Sequence, residues 1–234
     1  MKAGVLGSVR DRRSVPPPLS LGDVGGGAPQ QSMMLLDQLM TDFDATRIDH
    51  RVIDGDLETA YEATRQADFI RAWRDSPAVR SLFVVRSTAE RVASMARGRP
   101  LPATPEVSSF RLADMPRHGD WILLGEERPH EIAFGVIGRF WAGQTTWETI
   151  DAADFLGFDR PDRAKIACNF SLRPYGLRRT LISYEARTRA TDDAARRGFM
   201  RYWRALSPFI GVVMRSQLRV IDHQAAALDV RTRT

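Results

Sequence analysis

The chain has 234 residues, 43% of them hydrophobic, and a formal net charge of +5. That length suits one domain with or without tails, and the single Cys168 excludes an intramolecular disulfide. No apolar run reaches the ~18 residues of a transmembrane helix.

Residues 1–32 hold Pro16-Pro17-Pro18, Gly25-Gly26-Gly27 and Pro29 with hardly any periodic apolar pattern. They are expected to be disordered, or to precede a true start at Met33 or Met34. Met1–Ser8, with one lysine and a very short apolar patch before Arg10-Asp11-Arg12-Arg13, make a poor secretory signal, so a cytoplasmic location is expected. The pI near 9.9 belongs mostly to the ends. Residues 1–32 carry a net +2 and the basic tail 229–234 has Arg231 and Arg233, leaving only +1 for residues 33–230. Charge placed this way argues against a nucleic-acid partner.

Arg47 to Ile53 reads as a first strand, with Ile48, His50 and Val52 sharing a face. Asp54-Gly55-Asp56 forms a turn. A short helix follows with Leu57, Ala60, Tyr61 and Thr64 on one side, and Ser76-Pro77 opens a second that ends at Gly98. From Trp121 the apolar period becomes two. Residues 121–127, 130–141 and 145–150 read as strands, and then two longer ones span 164–173 and 178–190, joined by a turn at Pro174-Tyr175-Gly176.

Thr191 to Leu228 reads as one amphipathic helix of ~50 Å at 1.5 Å per residue. Thr191 is the expected N-cap, with Asp192 and Asp193 in the first turn. Ala195, Phe199, Tyr202, Leu206, Phe209, Val213, Gln217 and Val220 share one side, edged by Trp203, Ile210 and Ile221. Arg196, Arg197, Arg201, Arg204, Arg215 and Arg219 share the other, and Pro208 points with them, where water can replace its missing hydrogen bond. Both stripes keep phase across the proline. The expected fold is α+β of helix-grip type: a curved antiparallel β-sheet wrapped against a long kinked C-terminal α-helix, with two short helices after the first strand.

The order of elements resembles the START-like, helix-grip superfamily (SRPBCC), which includes polyketide cyclase/dehydratase and lipid-transfer relatives. The matching residues are Gly135–Trp141, Asn169-Phe170, Ser183–Arg187, and the helix segment Phe199–Arg219 with Tyr202-Trp203-Arg204 and Ser207-Pro208-Phe209. The likeness spans residues 45–226, within an expected domain of 33–228, and is to an uncharacterised bacterial subgroup. It implies a cavity between sheet and last helix that holds a hydrophobic or amphipathic small molecule or lipid. It implies no particular reaction.

On such a fold the expected ligand-binding residues are Trp121, Arg139, Trp141, Trp147, Phe170, Tyr184, Tyr202, Leu206, Phe209 and Val213. Arg139, Glu185 or Tyr184 would serve as polar anchors, and alternation alone leaves open which sheet face looks inward. Arg139 and Glu185 read equally as a structural or surface ion pair, and the tryptophans as plain core. Gly135 and Gly138 either leave room for a ligand or bend the sheet. For an enzyme, acid–base chemistry of cyclase or dehydratase type would draw on Glu185, with Tyr184 or His50 as second proton carrier. No metal is expected, because His50, His118, His130 and His223 lack helical partners and Cys168 stands alone. No cofactor motif is present: there is no G-x-S-x-G, and Gly25-Gly26-Gly27 leads to no phosphate loop. The arginine stripe reads as a solvated face or as a surface attracted to anionic membranes.

Overall fold

A computed structural model describes residues 33–71, 110–117, 120–141 and 145–233. The helix expected at 76–98, His118 and the residues between the strands expected at 130–141 and 145–150 lie outside the described residues. Strand β1 (Ala45–Asp54) ends at Gly55, whose φ of +142° favours glycine and turns the chain. Asp56 then caps helix α2 (Leu57–Gln66), its carboxylate accepting from the Thr59 amide at 2.8 Å. That bond holds the Asp56 pKa below its ordinary value.

Strands β2 (Ile122–Glu127) and β3 (Glu131–Arg139) form a hairpin, followed by β4 (Thr146–Trp147), β5 (Ala164–Pro174) and β6 (Arg179–Ala190). These strands make one antiparallel sheet in the order β1-β6-β5-β3-β2, with β4 on the far end of β3. β4 is much shorter than the strand expected at 145–150. Glu148 pairs with Arg160 and Arg163 instead, and the chain enters a 3-10 turn at Ala152–Asp154. The β5–β6 turn uses Gly176 (φ 74°) and Arg178 (φ 53°), both in the left-handed region.

Helix α3 (Asp193–Arg233) runs unbroken through Pro208. Its N-cap is Asp192 rather than Thr191. The Asp192 carboxylate accepts from the amides of Ala194 and Ala195, both at 2.8 Å, while Thr191 bonds Arg163. The helix also continues past Leu228 through the residues read as a tail. No glycine or proline stops it, and Asp229 is tied to Arg178 at 2.9 Å. Pro208 is exposed, as its place on the basic side requires. No described helix is long and apolar enough to cross a membrane.

β3 is buried on both faces. Ile132 and Phe134 look inward and join Phe170, Ile182 and Tyr184 against α2 and the second half of α3. Glu131, Ala133 and Ile137 look outward, where Leu36, Met40 and Phe155 cover the sheet. That outer cover depends on a buried carboxylate. Helix α1 (Leu35–Leu39) has no side-chain cap of its own. Glu131, 3% exposed, supplies one from the sheet: it accepts from the amides of Leu35 (2.8 Å) and Leu36 (3.1 Å) and from Asn169 Nδ2 (2.6 Å). Glu131→Ala should therefore cost about 3 kcal/mol in urea denaturation and abolish hydrogen-exchange protection in α1. Glu131→Gln, which keeps the acceptor oxygen, should cost clearly less.

Candidate ligand site between the sheet and the long helix

The inner face of the sheet carries a layer of rings. Phe170 stacks on Tyr184 with centroids 4.4 Å apart, and on Phe69 and Phe134 at 5.7 Å each. Trp121 extends the layer from Phe134 at 5.6 Å. Offset contacts of this kind add to simple burial and leave the rings tightly matched. A second cluster sits under the start of α3, where Phe140 meets Trp141, Trp147, Phe199 and Tyr202 at 5.3–5.9 Å. Between the two clusters the helix is less covered. Tyr202, Leu206 and Val213 are half-buried, and Phe209 is 46% exposed.

Beyond Pro208 the buried line shifts by about one residue, from the expected Phe209 and Val213 to Met214, Leu218, Ile221 and Ala225. The cause is the polar inner side of β1. Arg47, Asp49 and Arg51 face the helix, whereas Ile48, His50 and Val52 face outward, with Ile48 45% exposed. Asp49 accepts from Arg47 Nε at 3.4 Å and from Arg215 Nη1 at 3.2 Å. Arg51 holds Asp222 through two hydrogen bonds, at 2.9 and 2.6 Å. Gly211 lies against this seam, where an added Cβ would meet the Arg47 guanidinium and force that side chain to move. Arg215 and Arg196 stay exposed on the solvated stripe to which their spacing assigns them, yet both are tied to the sheet side, Arg196 through Asp44 at 2.7 Å.

The residues expected to bind ligand divide between the two faces. Trp121, Phe170 and Tyr184 lie in the inner ring layer, while Trp141, Trp147 and Tyr202 lie in the second cluster. Leu206, Phe209 and Val213 line the less covered stretch of α3. Arg139 does not share their space: it pairs with Asp162 at 3.1 Å near the end of β3, on the outer face. Glu185 is also on the outer face, bonded to Arg187 at 2.7 Å, so the expected Arg139–Glu185 pair is not formed. His50 faces outward too, 2.8 Å from Ser183 Oγ. Strand alternation puts Tyr184 and Glu185 on opposite faces, so Tyr184 cannot work with Glu185 and His50 as one acid–base set.

The two glycines of β3 leave no free room. A Cβ at Gly135 would meet the Ile166 carbonyl and Phe155, and one at Gly138 would meet Thr146 and Trp147. Among the described residues no three His, Cys, Asp or Glu side chains gather as metal ligands.

One buried polar group of α3 was placed in its apolar stripe by spacing but not among the expected ligand-binding residues. Gln217, 8% exposed, is buried on α3, and its Oε1, like the Oδ1 of Asn169, has no hydrogen-bond partner among the described residues. Its signal was present: it is the one polar residue in the helix's apolar stripe. Nearby chemistry is muted. Burial pushes the Cys168 thiol up to about 12, against a lesser effect of its hydrogen bond with Tyr184. Burial also raises the Tyr184 phenol. A neutral thiol of this kind is a poor nucleophile.

The thiol's folded pKa lies above its ordinary 9.0. Its share of stability is therefore complete below pH 9 and lost as pH rises from about 9 to about 12. Thiol reagents at pH 8 should leave native Cys168 unmodified and react on unfolding. Urea midpoints should fall above pH 9, less steeply in Cys168→Ala.

No family model matches the chain, and no curated protein does. Solved structures similar to part of it include a conserved protein from Geobacillus kaustophilus, at 9% identity and TM-score 0.36, covering 78% of this chain and 96% of that one. A protein from Thermus thermophilus has 9% identity and TM-score 0.28, covering 79% and 99%. An Arthrobacter aurescens protein has 11% identity and TM-score 0.32, covering 78% and 86%.

Proposed function

We propose that this chain binds, and in that way transports, a hydrophobic or amphipathic small molecule between the inner face of its sheet and α3. The observation that carries this reading is Gln217. A buried carbonyl oxygen without a donor costs about 1–3 kcal/mol, and an apolar residue would fit the same stripe without that cost. A ligand hydroxyl, carboxylic acid or amide would supply the missing donor. Apolar sites with one or two placed polar groups are the usual form of small-molecule pockets. Tyr202, Leu206, Phe209 and Val213, incompletely covered one to four turns away, offer the apolar contact. The resemblance to the START-like superfamily agrees with this reading.

The partition of Tyr184 from Glu185 and His50 weighs against the cyclase or dehydratase alternative, which needs converging proton carriers. A second reading rests on α3. Arg197, Arg201, Arg204 and Arg219 form no ion pair among the described residues, and such a stripe suits an anionic membrane surface. Vesicles containing anionic lipid should then retain the chain at low salt and release it at moderate salt, and equal retention on neutral vesicles would remove that reading.

Native mass spectrometry of the purified chain should show a co-purifying organic molecule. Gln217→Leu separates function from folding. It should stabilise the chain by about 1 kcal/mol in urea denaturation while reducing ligand occupancy at least tenfold. Full occupancy in the variant would remove Gln217 as the anchor.

A further inference from the structure

The outer face carries a second concavity, separate from the inner layer. A cleft of about 200 Å³ lies between the loop after α1 and the neighbouring ends of β5 and β6, walled by Leu39, Thr41, Asp42 and Leu156. Its floor holds Lys165 and Arg189, which are directly opposed in the β5–β6 register. Like charges placed opposite each other on a sheet repel and are disfavoured unless something neutralises them.

The surrounding protein does so only in part. The Lys165 ammonium donates to the backbone carbonyls of Phe155 (3.2 Å) and Leu156 (3.0 Å), which are uncharged. Among the described residues the ion-pair partner of Arg189 is Asp42, 3.8 Å away and 84% exposed, where water screens the pair. Burial, then the nearby Arg189 charge, lower the Lys165 pKa, and Asp159 only partly offsets them. The cleft therefore keeps positive charge at its floor.

We propose that this cleft is an oxyanion site in which Lys165 and Arg189 together hold the phosphate group of a small phosphorylated molecule. A guanidinium fork beside an ammonium point charge matches a phosphate dianion in both charge and donor geometry. Leu39 and Leu156 are placed to touch the organic part of such a molecule. The site lies across the sheet from Gln217 and does not depend on the inner ligand.

Titration of the full chain with inorganic phosphate, phenyl phosphate and benzoate, at constant ionic strength and followed by backbone amide NMR, tests this. Saturable shifts at Thr41, Asp42 and Arg189 are expected, with phenyl phosphate binding tightest. Arg189→Gln should weaken phosphate binding at least tenfold without lowering the urea midpoint, because its side chain is half-exposed and its loss relieves repulsion with Lys165. Asp42→Asn, which removes the competing carboxylate, should tighten it severalfold. The proposal is overturned by an absence of saturation at phosphate concentrations on the order of 10 mM, which corresponds to about 3 kcal/mol of binding. Equal affinity in Arg189→Gln, or benzoate binding as tightly as phenyl phosphate, would also overturn it.

Discussion

The packing of α3 across the inner face of the sheet is the contact on which the rest of the molecule depends. An antiparallel sheet with aromatic and branched residues on one face must cover that face, and a helix of 41 residues is long enough to do so. The cover is uneven. Phe199 seals one end with Phe140 and Trp141, and Met214, Leu218 and Ile221 seal the other with Phe134 and Phe170. Between these two seals lies the half-covered stretch from Tyr202 to Val213. A ligand reading of this fold belongs to that stretch and to Gln217 one turn beyond it, because the ring layer beside it is already closely stacked.

The β1 edge shows how charge sets the angle of that packing. A strand with Arg47, Asp49 and Arg51 facing a helix would leave three buried charges if the helix met it with leucines. Here α3 meets it with Gly211, Arg215 and Asp222, so each charge finds an opposite one. The buried line on the helix turns by about a residue to allow it. Isolated surface ion pairs contribute little, but Asp49, bonded on both sides and mostly shielded, belongs to a network.

The outer face follows the same logic with a different solution. Glu131 replaces the cap that α1 lacks, so a charged residue within a strand serves a helix nearly a hundred positions earlier in the chain. Asn169 Nδ2 and the two amides, all uncharged donors, hold its charge in place by hydrogen bonds. Lys165, on the same face, is likewise held by two uncharged groups, the carbonyls of Phe155 and Leu156, while Arg189 opposite it has the exposed Asp42 as its ion-pair partner among the described residues.

Much of the fold was legible in the sequence because it rests on local periodicity. The alternation after Trp121, the turns at Asp54–Asp56 and Pro174–Gly176, and the 3.6-residue stripe of Ala195 and Phe199 each report the element that carries them. The solvent-facing side of Pro208 was legible for the same reason. The candidate site was less so. Periodicity sorted Tyr184 from Glu185, and Arg47 from Ile48, but could not say which set faced inward, since that depends on which surface another segment covers. β1 is the clearest case: its polar side faces the helix and Ile48 faces out, against the usual preference, because Arg215 and Asp222 are distant in sequence and adjacent only in the folded chain. The sequence alone determined the long strands β1, β3, β5 and β6, helix α2, and the need for a long helix on a sheet, but not α1. Only the tertiary structure decided the facing of each strand, the pairing of each charge and the isolation of Gln217, because these depend on contacts between residues far apart in the chain.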